Sequence, residues 1–588
     1  MEDNTASSSR RLDASTPARN ATWDETNPSR YRLLCAILLS LCLAFIYIAL
    51  IVKIDNTNLQ TTNGLWKTPS VYSWEHGTGR PLDSGGFLYF PSYGYLSRLI
   101  PDRLVSYGIH GDVVTYRKLA MLNAVFGAFA SGVVFLLALR LTESIPAALL
   151  VFFAHASSAF VLLNSLNSED VIPAYTFFVI CTGLLLEYWV TRRLFFLLLA
   201  APFLALVTLF HWTLMIPCAA AIASVEAYDM FQHKRLRWSG LAFILIFVGL
   251  IKISLLIISA RTSQVFSVWQ TIYPSKASGA AGWVGFRWEK IPLALIGMGN
   301  YFCGGFNAGD YHGFFSVHRN TVLSSYLYFV PTGLACAWAL WSRSVESKIR
   351  QMALFAGTLF SMGELEHFYG EPSDPQSQIQ PMFMTVVGLT ILLWALRKFK
   401  AARAFRWAGI GLFVLLAANG ATNLHFMLQT QGADSQSVEA VKRFAQLFPP
   451  ANTVVITQGL EGFNTWLWLE LDRGNTELYL TRNILLASTF STHAGITGTD
   501  AATLTKKLIG KAMDDGHRVI ANAIWTGERN QFVGSLEEVT GDQQASTYYN
   551  LLRPAFDIGQ SFDTPYGRFV ELRSSAKHLP DALDAPFN

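Results

Sequence analysis

The sequence predicts an α-helical polytopic membrane protein of about eleven spans, followed by an extracytoplasmic α/β domain at the C-terminus. Three observations predict it. Of the 588 residues, 51% are hydrophobic and only 15% are charged, against about 25% charged in an ordinary soluble domain. Apolar runs long enough to cross a bilayer core of about 30 Å recur between residues 33 and 427. Lys and Arg then fall in alternate connecting loops, as the positive-inside rule requires. The net charge is +4 and the basic residues are dispersed among short loops, so nucleic acid is excluded as a partner.

Taken in order, residues 1–31 are rich in Ser, Thr and Asn and are expected to form a disordered cytoplasmic N-terminus. The first run, 33–53, has no small-residue cleavage site after it and is expected to be a retained anchor. The remaining runs are 120–139, 145–163, 171–190, 194–210, 213–228, 239–259, 322–341, 352–363, 382–396 and 408–427, which places the membrane domain at 32–428. Cys35, Cys42, Cys181, Cys218 and Cys336 lie inside apolar runs and Cys303 in a polar loop. No disulfide framework or metal-ligand spacing follows.

Charge tests this path. One set of loops holds Arg10, Arg11, Arg19, Arg30 and Arg32, then Arg140, then Arg192 and Arg193, then Lys234, Arg235 and Arg237, then Arg343, Lys348 and Arg350, then Arg397, Lys398, Lys400, Arg403 and Arg406. The opposite short loops, 164–170, 211–212 and 371–381, contain no Lys or Arg. One missed span would invert every later loop, so the separation predicts a cytoplasmic N-terminus and an exported C-terminus.

Two long segments, 54–119 and 261–320, fall outside. The second contains GWVGFRWEK, whose Trp283, Phe286 and Trp288 beside Arg287 and Lys290 suit a helix lying in the headgroup layer; a loop packed on its neighbours is the other reading. The exported domain, 429–588, shows helical spacing in SVEAVKRFAQLF and TLTKKLIGKAMDDG, the latter ending at Gly516, and buried strands in TVVIT and RVIANAIW. GLEG at Gly459 is too short for a phosphate loop.

Polar groups near membrane depth are costly and point to function. Here they gather at the exported ends of the runs: Glu75 and Asp83 in the first segment, Glu169 and Asp170 in LNSLNSEDVIPAY, His211 after the fifth run, and Glu364, Glu366, His367, Tyr369, Glu371, Asp374, Gln376 and Gln378 in GELEHFYGEPSDPQSQIQP. The run 352–363 is short, and an interrupted helix is tolerated where protein or a wet cavity lines it. An outward-facing polar pocket is therefore expected. A carboxylate there suits a general base acting on a hydroxyl, and Arg80, Arg98, Lys276, Arg287, Lys290 and Arg319 suit a phosphate. Each also has a structural reading: Asp83 before Gly85 and Gly86 suits a turn, Glu75 a solvated loop, Glu169 or Asp170 the cap of the next helix, and 371–381 a Pro-ordered loop. His155, Glu187, Glu226 and Lys252 lie within runs, where pairing inside the bundle or snorkelling accounts for them.

The arrangement resembles the GT-C superfamily of membrane glycosyltransferases, through the large first exported segment with Asp83 in RPLDSGGFLYFP, the acidic pair Glu169 and Asp170 after the third run, and the exported C-terminal domain. The resemblance implies transfer of a sugar from a polyprenyl-phosphate donor, with inversion, to a glycan, glycolipid or protein acceptor. It implies Asp83 as base with Glu75 as second choice, Glu169 or Asp170 orienting sugar or acceptor, and 364–378 lining the donor pocket. No WWDYG signature and no adjacent Asp-Glu pair stand in the first segment, which argues against whole-oligosaccharide transfer and leaves the base open. No cofactor motif is present; Arg, Lys or a divalent metal would balance the departing phosphate. The one sequon, at Asn20 with Thr22, is on the cytoplasmic side, which fits a bacterial inner membrane. An O-antigen ligase or polymerase relying on Arg287, His312, His318 and Arg319 is the alternative, and a secondary transporter the third.

Overall fold

A computed structural model describes residues 28–56, 71, 74–75, 89–105, 114–168, 170–211, 214–233, 239–262, 288, 291, 294–295, 301–302, 311–369, 379–399, 402–449, 452–456, 497–527 and 542–574. The membrane part comprises α1 (Pro28–Ile54), α2 (Tyr89–Ser97), α3 (Val114–Thr142), α4 (Ile145–Ala156), α5 (Ala159–Leu166), α6 (Val171–Thr191), α7 (Leu194–Phe210), α8 (Met215–His233), α9 (Ser239–Thr262), α10 (Tyr311–Trp341), α11 (Ser347–Tyr369), α12 (Ile379–Lys398) and α13 (Ala402–Gln429). Among the described residues every predicted run is helical, the third with a break at Ser157–Ser158. Six helices among the described residues are long and apolar enough to cross a membrane, or seven if α4 and α5 form one span, so length and apolarity alone do not reach the expected eleven.

The core sits on α6 and α12. Phe178 of α6 lies edge-on to Phe383 of α12 at 4.8 Å and stacks on Phe355 of α11 at 6.2 Å. Outward faces are apolar too: Leu34, Leu38, Leu41 and Phe45 of α1, Leu245, Leu256 and Ile257 of α9, and Phe413 and Val414 of α13 are exposed. Such patches suit contact with hydrocarbon.

The cationic loops meet at one end of the bundle. Arg192 grips Asp229 with two hydrogen bonds of 2.6 Å, Gln351 reaches the same carboxylate, and Arg350 donates to Tyr228. Arg140 pairs with Glu187, Lys348 with Glu143 and Glu346, and Lys398 with Glu346, while Arg397 donates to the Thr142 carbonyl. Trp189 donates to Glu226. This belt joins the C-terminal ends of α3, α6, α8 and α12 to the start of α11, so the N-terminus of α6 and the C-terminus of α11 lie at the opposite end.

Two runs depart from expectation. The third is not one helix: α4 and α5 meet at Ser157–Ser158 with a bend of 58°. Freed backbone groups at this depth need partners, and they have them. The amides of Ala159 and Phe160 donate to the carbonyls of Phe302 and Tyr301, Asn423 donates to the Ser157 and Phe302 carbonyls, and Asn419 donates to Phe302. His155 beside the break is fully buried between Ser131 and Tyr175, 2.9 Å from each, so it pairs inside the bundle as expected. The ninth run is not a short, interrupted helix. Glu364, Leu365, Glu366 and His367 have good to fair helix propensity, and α11 continues to Tyr369; apolarity ends there, helicity does not. Lys252 is exposed on α9.

Beyond α13 lie α14 (Ala433–Leu447), β1 (Thr453–Ile456), α15 (Gly498–Asp514), β2 (Arg518–Ala521), α16 (Asp542–Leu552), β3 (Phe556–Thr564) and β4 (Gly567–Ser574). The sheet has the order β1-β2-β4-β3, with β1 and β2 parallel and the other pairs antiparallel. Thr497 and Asp500 form a capping box at the start of α15, and Gly516 takes φ 81° just beyond its end. The hairpin β3–β4 was not foreseen; its strands are mostly exposed and mix polar with apolar residues. Residues 1–27 and most of 261–320, including the amphipathic segment apart from Trp288, lie outside the described residues.

Candidate functional site

At the end opposite the belt, polar residues concentrate where α5 gives way to α6. Helix α5 opens on Ser158, whose hydroxyl accepts from the Val161 amide, and it stops where LNSLNS exhausts its apolar face. Pro173 follows in the first turn of α6, where its missing N–H costs nothing. Asn164, Ser165, Asn167, Ser168 and Asp170 are all buried, none more than 3% exposed. Asp170 occupies the N-cap position of α6, yet its side chain makes no capping hydrogen bond. Its carboxylate lies 3.9 Å from Nδ1 of His211, at the end of α7.

Helix α2 closes this corner. The Tyr93 hydroxyl donates to Oδ1 of Asn123 at 2.5 Å, and Nδ2 of Asn123 donates to the Asn167 carbonyl at 2.8 Å. The Tyr93 ring stacks on Phe126 and meets the edge of Phe210, and Tyr93 is close enough to Asp170 to feel its charge. Four elements, α2, α3, α7 and the α5–α6 turn, thus gather around Asp170.

Beside it runs an ionic strut. Lys118, buried on α3, pairs with Glu75 at 2.6 Å and with Asp102 at 2.7 Å. Arg98 donates to the carbonyls of Trp74 and Glu75 and lies over the Tyr95 ring at 4.8 Å. Glu75 is therefore engaged in holding the segment between α1 and α3 against α3, and Arg98 is partly engaged with the same backbone.

A second acidic group lies on the last turns of α11. Glu364 and Glu366 are partly buried; Glu364 is within electrostatic range of Tyr326 on α10, and Glu366 of Cys218 on α8. Gly363 permits close approach of α12, since a Cβ there would sit 2.5 Å from Cγ of Gln380. His367 and Tyr369 share this turn, and Arg319 lies near the start of α10. Asp83, Arg80, Glu169, Lys276, Arg287, Lys290, Glu371, Asp374, Gln376 and Gln378 lie outside the described residues. Among the described residues no group of three His, Cys, Asp or Glu side chains could hold a metal ion.

Sequence reasoning missed Tyr93, Asn123, Asn167, Asp102 and Lys118. Asn123 carried a usable signal, since a lone amide inside KLAMLNAVFGAF is costly at membrane depth. Asn167 stood in the loop already singled out for its neighbours.

Solved structures now bear on the fold. ArnT from Cupriavidus metallidurans, a GT-C glycosyltransferase, in its structure bound to undecaprenyl phosphate, superposes with a TM-score of 0.51 over 94% of this chain and 100% of its own, at 10% identity. The same protein in its apo state gives a TM-score of 0.51 over 92% and 98%. The chain shares the fold of ArnT. No protein-family model matches the sequence, and no curated protein matches it. Within this shared fold, the candidate residues Asp170 and His211, and Glu364 and Glu366 on the last turns of α11, lie at the end of the bundle remote from the belt of Arg192–Asp229 and Arg140–Glu187 pairs.

Proposed function

We propose that the chain is a membrane glycosyltransferase that moves a sugar from a polyprenyl-phosphate donor to an acceptor hydroxyl at the extracytoplasmic face. One observation carries this reading: the GT-C fold spans nearly the whole chain, in common with a protein solved with undecaprenyl phosphate bound. The site chemistry supports it. A polyprenyl tail stays in hydrocarbon while its sugar phosphate reaches water, so the reaction belongs where a bundle end meets the interface. The buried polar corner around Asp170 lies at such an end.

In the proposed mechanism Asp83 takes the proton of the acceptor hydroxyl. The new C1–O bond forms as the bond from C1 to the phosphate oxygen breaks, with inversion. Asp170 and His211 orient sugar or acceptor, with Glu169 beside them in the chain. The segment 364–378 faces the donor, and charge on the departing polyprenyl phosphate is balanced by cations drawn from Arg80, Arg98, Lys276, Arg287, Lys290 and Arg319. Glu75, already paired with Lys118, acts as a strut and leaves the base to Asp83. The placement is a bacterial inner membrane, N-terminus inside, with residues 429–588 exported.

Purified protein in proteoliposomes, supplied with labelled polyprenyl-phosphate sugars and envelope glycolipid, glycan or protein fractions, tests the reading. Transfer is expected for the parent chain and lost in Asp83→Asn, with undecaprenyl phosphate still raising the thermal midpoint of that variant. No transfer from any lipid-phosphate sugar, together with no stabilisation by undecaprenyl phosphate, overturns it. Activity that survives Asp83→Asn and disappears in Arg319→Ala assigns the chain to the ligase class.

A further inference from the structure

We infer that Asp55 is a clamp through which the exported C-terminal domain fixes the first exported segment, making Asp55, Arg117 and Ser435 positioning residues for the transfer reaction. The inference rests on the functional reading above and adds a role for the C-terminal domain.

Asp55 ends α1 in the left-handed region, at φ 50°, a conformation that an Asp adopts at some cost unless its surroundings hold it there. Here they do. One carboxylate oxygen accepts from Arg117 of α3 at 2.8 Å and the other from the Ser435 hydroxyl of α14 at 2.5 Å. The backbone continues the join: the Asp434 amide donates to the Asp55 carbonyl, the Gly432 amide to the Ile54 carbonyl, and Asn56 to the Thr430 carbonyl. The first turn of the exported domain is thus stitched to the last turn of the first span.

The connection goes on into the first exported segment. The second amino group of Arg117 donates to the Val105 carbonyl at 2.9 Å, just past the 3-10 turn Asp102–Leu104. Lys118, the next residue, holds Asp102 of that turn and Glu75 further back. Asp83 lies between Glu75 and this turn in the chain. A polar path therefore runs from Ser435 through Asp55 and Arg117 to Val105. Its members are drawn from three regions far apart in sequence, which local folding does not explain. An Arg-carboxylate pair with 8% and 16% of the two side chains exposed is a directional link that solvent screens little.

Hydrogen exchange on the full chain in detergent micelles, read by mass spectrometry, tests the clamp without reference to activity. The amides of Leu104 and Val105 are hydrogen-bonded within their turn and report on it. In Asp55→Asn their exchange is expected to quicken about tenfold, as loss of one charged hydrogen bond implies. Ser435→Ala, which alters only the exported side, is expected to quicken them about threefold by loosening the shared carboxylate, while Ser435→Thr restores the parent rate. Unchanged protection of α6 shows that each variant is folded. Transfer kinetics in the same variants are expected to show a lower kcat with an unchanged donor KM. Faster exchange confined to residues 430–447 in Ser435→Ala, or parent kcat in a variant whose turn has loosened, overturns the clamp. Absence of transfer in the parent chain instead refutes the functional reading and leaves the exchange result to decide the clamp's mechanical half.

Discussion

Tyr93→Phe is the sharpest probe of the corner around Asp170. The substitution keeps a fully buried ring, with its stacking on Phe126 and its edge contact with Phe210, and removes one hydroxyl. That hydroxyl donates to Oδ1 of Asn123, itself fully buried. Taking a donor from a buried amide oxygen costs about 1–3 kcal/mol. The loss does not stop there, because the other end of Asn123 holds the Asn167 carbonyl, three residues before Asp170. If that turn positions Asp170, part of the cost appears in the transition state, and kcat falls about tenfold, equivalent to about 1.4 kcal/mol. Thermal unfolding in detergent reads the first quantity and steady-state transfer the second. A double-mutant cycle with Asn123→Ala should give a coupling of about 1 kcal/mol in stability, since the hydroxyl has one fewer role once the amide is gone. Strict additivity would mean that the hydroxyl and the amide act separately, and a lowered melting midpoint with parent kcat would mean that their bond supports the fold and not the reaction.

Lys118→Met leaves Glu75, 7% exposed, without its ammonium partner and should destabilise the chain by about 3–5 kcal/mol; adding Glu75→Gln should recover most of this in a denaturation midpoint. Asn423→Ala removes the donor to the Ser157 carbonyl at the α4–α5 break and one of three to the Phe302 carbonyl, which keeps Ala159 and Asn419, and should cost about 1–3 kcal/mol, whereas Asn423→Gln should cost less. Glu346 is pushed up by burial, but the hydrogen bond from Lys398 and the charges of Lys348 and Lys398 outweigh this and hold it below the usual carboxylate range. A carboxyl depressed in the folded state contributes stability above its unfolded value and loses it as pH falls through the folded value. The melting midpoint of the parent should therefore drop in that acidic window relative to Glu346→Gln, and the two curves should run parallel from neutral pH upward.

Much of this architecture was legible because the bilayer restricts the options. A chain that must satisfy its backbone internally writes each span as an apolar run, and the loops that hold Arg192, Arg350 and Arg397 could be sorted by charge before any contact was known. The same rule hid the break at Ser157. In HASSAF the two serines are compatible with a continuous helix, since each can bond back into its own turn, and what stops the helix is the arrival of the Tyr301 and Phe302 carbonyls from far along the chain. The end of α11 misled in the opposite sense, because hydropathy falls at Glu364 while helix propensity does not. Of the site, Asp170 and His211 were legible as polar groups at helix ends. Tyr93 was not, since an aromatic residue in YFPSYGYLS reads as packing until a partner for its hydroxyl is known. Lys118 resembled one more charge at a helix start until its two carboxylates appeared.

The two ends of the bundle differ in their polar chemistry. Arg192 with Asp229 and Arg140 with Glu187 hold the helix ends together by charge, where no reacting group need enter and rigidity carries no penalty. At the far end of α6, 21 residues away and hence about 30 Å along the axis, the polar groups are amides, hydroxyls and a carboxylate that makes no capping bond. Between the two lies the aromatic core of Phe178, Phe355 and Phe383, through which a sugar phosphate could pass only by leaving its water behind. Under the proposed function, a lipid-linked donor entering sideways from the bilayer would avoid that barrier, because its tail would remain in hydrocarbon while only its head approached the corner at Asp170. That proposal therefore places the chemistry at one leaflet and suits a substrate that is itself half membrane.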